Sequence, residues 1–184
     1  MKIVLGLAGE IASGKGTAAK YITKKYKGVS YRFSDPLKDI LLRMHMDINR
    51  ENYHKISIAL RKNFGQDSFS KIISQDIKKE KSKIVVLDGV RRPSDIKYLK
   101  DIKGFHLIFI EADLEERFKR LKMRKEKTDD REKKIKYFKK EHQSEVEMKI
   151  RQMKKMADFV IDNNQSLAQL FKSIDAILAE IGPE

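Results

Sequence analysis

Residues 2–17, KIVLGLA followed by GEIASGKGT, place a run of apolar β-formers directly before a loop of small residues, and a segment of helical period follows. A strand that feeds a helix through such a loop commits the chain to βα units, and therefore to a parallel sheet covered by helices. The loop fits the phosphate-cradling pattern G-x-x-x-x-G-K-[ST] at Gly9, Gly14 and Lys15. Gly16 stands where that pattern has a hydroxyl residue, and Thr17 comes one position late.

The rest of the chain continues the alternation. β-rich runs fall at 29–34, 83–89, 105–112 and 157–163, each followed by a helical segment. Runs such as IVVLD are apolar on both faces, as strands covered by helices on both sides require. The expected fold is α/β in three layers, a five-stranded parallel sheet with helices on both faces, and the expected organisation is a single domain over residues 1–184. Nearly fifty residues separate the second and third strands, enough for two or three helices, and 36–80 is the expected substrate-covering helical region. A second excursion follows the fourth strand: LEERFKRLKMR, a polar stretch KEKTDD and a long charged helix to about Met156. A charge-dense hinge between two helices makes 117–135 a candidate lid. Ligands should sit at the carboxyl ends of the strands.

Small residues between strand and helix, here Ala12 and Ser13 among them, let backbone N–H groups converge on phosphate oxygens while the helix N-terminus adds its positive end. Lys15 is a flexible point charge that can reach a β- or γ-phosphate. KIVVLDG at 83–89 ends a strand on Asp88, which with the loop in place can hold a magnesium ion or its water. Direct ligation by a hydroxyl at position 16 is ruled out by Gly16, so Asp88, water and the nucleotide share the metal, and Thr17 is left to meet a phosphate or assist at the metal. Arg91 and Arg92 follow in a loop ended by Pro93, with Ser94 positioned to cap the next helix. Arg117, Arg120 and Arg124 recur at offsets of three and four along one helix face, where a closing lid could carry them to a transferring phosphoryl group. Arg117 could instead pair with Glu115 or Glu116.

The formal charge of +14 calls for anionic partners. Residues 112–156 carry 17 Lys+Arg against 10 Asp+Glu, whereas 157–184 carry 1 against 5. A nucleic-acid partner is therefore a second reading, with an ATPase acting in RNA or ribosome assembly as its form, although no aromatic cluster on a basic strand supports it. With no cysteine, no apolar run near the roughly 18 residues a membrane span needs and no signal-peptide pattern, the expected setting is cytoplasmic, with no membrane partner. His45, His54, His106 and His142 show no ligand spacing, so magnesium is the sole metal expected. Both monomer and homodimer stay open.

These motifs carry a resemblance. The chain resembles the P-loop small-molecule kinases, meaning the nucleoside and deoxynucleoside monophosphate kinases together with dephospho-CoA kinase and its archaeal relatives. GEIASGKGT looks like the adenylate-kinase form of the loop, in which Gly-Thr after the lysine is usual. FSDPLK (33–38) with DGVRRPSDI (88–96) is similar to paired segments of phage-type deoxynucleoside monophosphate kinases and animal phosphomevalonate kinase, and RFKRLKMR and ADFVIDNNQSLAQL resemble dephospho-CoA kinase. The resemblance implies that Lys15 and the amides of Ser13 to Thr17 hold the ATP phosphates, that Asp88 serves the magnesium, and that Arg120 and Arg124 clamp the transferring group. It also implies that Asn163 and Asn164 pass near the adenine and that Asp35, Arg91 and Arg92 face the acceptor. The expected acceptor is a nucleoside or deoxynucleoside monophosphate, whose phosphate needs no base. With a hydroxyl acceptor such as dephospho-CoA, Asp35 could accept the proton, and as a bare helix cap before Pro36 it would do neither.

Overall fold

A computed structural model describes residues 2–123, 138 and 145–182. Its framework is one sheet of five strands, β1 (Ile3–Ala8), β2 (Val29–Arg32), β3 (Ile84–Val90), β4 (Phe105–Glu111) and β5 (Phe159–Asp162), in the order β2-β3-β1-β4-β5. All four pairings are parallel. The five strands expected from the sequence are all present, and their ends shift by at most two residues. β2 stops at Arg32 rather than Ser34: the Phe33 amide still donates to the Asp88 carbonyl at 3.2 Å, but Phe33 and Ser34 form the turn that leads into the helix starting at Asp35.

β1 forms the centre of the sheet and is buried along its whole length. Successive side chains alternate between the two helical layers. Leu5 and Leu7 pack with Ala18 and Ile22 of α1 (Lys15–Lys25) and with Leu170 and Ile174 of α7 (Leu167–Ile181). Val4 and Ala8 face the other layer, with Phe69, Ile73 and Ile77 of α4 (Ser68–Lys79). Each fully buried Leu, Ile or Phe contributes about 1.5–3 kcal/mol relative to exposure, so these two layers supply the main driving force.

Three helices fill the interval between β2 and β3, as its length suggested: α2 (Asp35–Arg43), α3 (Arg50–Phe64) and α4. Asn49 caps α3 by accepting the Asn52 amide at 2.9 Å. After β4 comes α5 (Leu114–Met123), and the described part of the expected long charged helix is α6 (Glu145–Gln152), closed by a 3-10 turn at Met153–Met156. Arg124 and lid positions 124–135 lie outside the described residues. Among the described residues no helix is long and apolar enough to cross a membrane.

Candidate functional site

The loop after β1 has the backbone that phosphate binding needs. Gly9, Ala12 and Gly14 have φ of 146°, 60° and 113°. A Cβ on Gly9 would lie 2.2 Å from the Ile110 carbonyl oxygen, and one on Gly14 would lie 2.3 Å from Nδ2 of Asn163. Both positions therefore exclude any larger residue. Gly14 precedes the first turn of α1, whose first backbone amides, from Lys15 through Thr17, lie at the helix N-terminus. Lys15 folds back over the loop, its Nζ donating to the carbonyls of Gly9 at 2.7 Å and Glu10 at 2.8 Å. Ser13 is fully buried, and its Oγ has no hydrogen-bond partner among the described residues. Thr17 is exposed.

Behind the loop lies an ionic support that the motif does not reveal. Arg117 is 1% exposed. It pairs with neither Glu115 nor Glu116: its Nε donates to the Ala112 carbonyl at 3.0 Å, its Nη1 to the Ile11 carbonyl at 3.4 Å, and its Nη2 lies 3.4 Å from Oε2 of Glu10. The physical reason is that α5 turns the Arg117–Leu121 side inward, against Ala12 and the Phe138 ring. Arg151 of α6 reaches the other oxygen, Oε1 of Glu10, at 3.3 Å. The loop's carboxylate thus receives a cation from each flank of the 124–144 excursion.

A second support comes from the end of β5. Asn163, 4% exposed, donates from Nδ2 to the Ser13 carbonyl at 2.8 Å, and its own carbonyl accepts from Arg120 Nη2 at 2.7 Å. Asn164 accepts the Asp113 amide at 2.7 Å. Arg120 therefore stands beside the phosphate loop through Asn163, with its Nη1 buried and without a partner among the described residues.

At the other side of Gly16 lies a cleft of about 300 Å³, lined by Gly16, Lys20, Thr23, Ser30, Arg32, Asp35 and Asp88 together with Ala19. Asp88 arrives here through an irregularity in β3: it pairs with Leu7, Val90 pairs with Ala8, and the intervening Gly89 has φ of 94°. Asp35 is the first residue of α2, and its Oδ2 accepts the Arg32 amide at 2.7 Å. Tyr53 of α3 stands nearby; burial first, and then the Asp35 carboxylate, push its phenol above the ordinary tyrosine range. A Cβ at Gly16 would meet nothing within 4 Å, so the space beside Asp88 is open. That room suits a hydrated cation between Asp88 and a bound phosphate. Among the described residues no group of three or more His, Cys, Asp or Glu is placed to hold a metal ion.

Arg91 and Arg92 do not line this cleft. Both of their amides donate to Oδ2 of Asp95 at 3.1 Å, and Arg92 Nη1 reaches Oε1 of Gln66 at 3.4 Å. Asp95, not Ser94, organises the 3-10 turn Pro93–Ile96, and its Oδ1 pairs with Arg61 of α3 at 3.0 Å. Sequence reading missed Glu10, Arg32, Lys20 and Asp95. Spacing could have placed two of them: Gly16, Lys20 and Thr23 share a face of α1, and Ser30 and Arg32 share a face of β2.

Comparison with known proteins bears on the family and the fold. A sequence family described as an AAA domain matches residues 8–136, which include Lys15, Asp35, Asp88 and Arg120. The chain is 27% identical to the UPF0200 protein MJ1399 of Methanocaldococcus jannaschii, over 97% of this chain and 90% of that protein. It is 29% identical to a UPF0200/UPF0201 protein of Archaeoglobus fulgidus, over 97% of this chain but only 55% of that one, so it spans about half of the latter's length. Among solved structures the fold is similar to shikimate kinase from Bacteroides thetaiotaomicron (TM-score 0.65, 14% identity, 98% and 99% of the two chains). It is also similar to a gluconokinase from Sinorhizobium meliloti (TM-score 0.57, 14% identity, 97% and 93%). At these identities the structures establish the P-loop kinase fold alone. By this match, which covers more than half of the chain, the chain belongs to the AAA domain family.

Proposed function

We propose that this protein is an ATP-dependent small-molecule kinase whose acceptor offers a hydroxyl group. The observation that carries the reading is the cleft beside Gly16, which brings Asp35 and Asp88 together next to the phosphate loop. The backbone amides from Ser13 to Thr17 and Lys15 hold the ATP phosphates, and Lys15 exchanges its carbonyl partners for phosphate oxygens. Magnesium, when bound, would offset phosphate charge, and Asp88 is the residue that would hold it or its water. Arg120, beside Asn163, and Arg124 remain the cations proposed to meet the nucleotide or the transferring group. Asn163 holds the loop's shape and Asn164 the neighbouring turn at the nucleotide side.

The acceptor oxygen bonds to the γ-phosphorus, the bond from that phosphorus to the bridging β–γ oxygen breaks, ADP leaves, and the hydroxyl proton passes to Asp35. A nucleoside monophosphate, placed first by sequence alone, would bring its reacting phosphate, itself the attacking group, against Asp35 and Asp88 at the loop end. The arginines expected to receive it, Arg91 and Arg92, do not line the cleft. This favours the hydroxyl acceptor.

A coupled ADP-release assay tests the reading, with dephospho-CoA, shikimate and gluconate in one set and all ribo- and deoxynucleoside monophosphates in the other. Turnover confined to hydroxyl acceptors is expected. Turnover with monophosphates alone would restore the other order. ATP hydrolysis stimulated by RNA and by no small acceptor, with steep salt dependence, would overturn the kinase reading.

A further inference from the structure

The cleft has an order of charge along its length. Gly16, Asp35 and Asp88 mark the loop end. Lys20 follows Gly16 by four helical residues, about 6 Å along α1, and Thr23 by seven, about 10 Å. On the opposite wall Arg32 lies in register with Asp88, and Ser30 with Val86 further from the loop. Lys20 and Arg32 thus face the same small space from two elements. Neither side chain has an ion pair or hydrogen bond among the described residues, whereas most cations around the loop do. Thr23 spends its hydroxyl proton on the carbonyls of Ala19 and Lys20, at 2.9 and 3.1 Å, so its oxygen faces the cleft as an acceptor.

We infer that the acceptor already carries a phosphate, held between Lys20, one helical turn along α1 from Gly16, and the Arg32 side chain, while Asp35 receives its hydroxyl. An ammonium point charge and a guanidinium fork together match a phosphate dianion better than a single carboxylate, and the fork can bind it through two oxygens. The cleft volume is at the small end for ligand sites, which limits the acceptor to a compact phosphorylated alcohol or to the phosphorylated end of a longer one. The carboxylates at the loop end repel the phosphate and so orient the molecule, hydroxyl toward the γ-phosphate. This inference rests on the kinase reading for its purpose but not for its test.

The test is an amide NMR titration of the full chain, first with magnesium and a non-hydrolysable ATP analogue, then with glycerol 3-phosphate or glycerol as probe. Glycerol 3-phosphate should shift the amides of Lys20, Thr23, Ser30 and Arg32 saturably, and glycerol should not. Lys20→Gln and Arg32→Gln, with otherwise unchanged spectra, should each weaken binding roughly tenfold, the scale of one charged hydrogen bond. Shifts centred on Arg91 and Arg92, equal binding by both variants, or no saturable shift in the wild type would overturn the inference. If the ATP analogue leaves residues 13–17 unperturbed while glycerol 3-phosphate still saturates at Lys20 and Arg32, the kinase reading fails and the anion site stands. The reverse pattern removes the anion site alone.

Discussion

The two sides of Gly16 are built differently. On the nucleotide side the loop is backed by buried bonds: Glu10 between Arg117 and Arg151, and Ser13 to Asn163 to Arg120. On the proposed acceptor side Lys20, Ser30 and Arg32 are exposed, and at the loop end the Arg32 amide donates to Asp35. A phosphate site must keep its amides aligned before the ligand arrives, which requires a rigid support. An acceptor site can leave its cations in water until the acceptor displaces that water, at lower cost in buried charge.

The contrast breaks most visibly at Lys15. Lys15→Ala should lower turnover by roughly 10²- to 10³-fold or more while leaving the thermal unfolding profile close to wild type, measured by ADP release and calorimetry. Retained activity would remove the loop from the account. Next comes the buried support: Arg117→Met removes the buried cation beside Oε2 of Glu10 and should cost about 3–5 kcal/mol in denaturant unfolding, whereas Arg32→Gln should cost less than about 0.5 kcal/mol. Equal losses would erase the distinction between the two sides.

Gly14→Ala sharpens the same comparison. The new methyl group would collide with the Asn163 amide at a φ of 113° and displace its bond to Ser13, for about 1–3 kcal/mol, together with weaker binding of an ATP analogue. Gly16→Ala, where a Cβ meets nothing, should leave stability nearly unchanged in the same denaturation experiment.

The smallest effect lies away from both sides. Glu80 is held at about 2, chiefly by the Ser82 amide and then by the Tyr31 hydroxyl. Because this folded value lies below the unfolded one of 4.5, its stabilisation is present above about pH 4.5 and is lost as pH falls toward 2. Glu80→Gln should flatten the stability–pH curve in that window and leave it unchanged near neutrality; an unaltered curve would contradict the assignment.

The sequence made the framework legible because its signals are local. KIVLGLA and IVVLD read as buried strands, and the glycines and lysine of the loop sit within nine consecutive residues. Asp88 was legible as the acid ending a strand, although the Gly89 irregularity that aims it was not. The support of the loop was hidden because its partners are remote: Arg151 meets Glu10 across 141 positions, and Asn163 meets Ser13 across 150. Arg117 misled because a helical arginine beside two glutamates reads as a surface pair, while packing against Ala12 and Phe138 turns it inward. Arg32 was passed over because a charged residue on a short edge strand reads as solvent-facing. Arg91 and Arg92 attracted notice as neighbours at a strand's end, yet Asp95 holds their backbone outside the cleft.

The hydroxyl-acceptor claim depends most directly on Asp35. The decisive measurement is steady-state turnover of Asp35→Asn with the acceptor that the ADP-release assay identifies, alongside calorimetric binding of magnesium and an ATP analogue. The account predicts a fall in kcat of about 10²- to 10⁴-fold, the range for loss of a general base, with nucleotide affinity unchanged. Wild-type turnover in Asp35→Asn would contradict it.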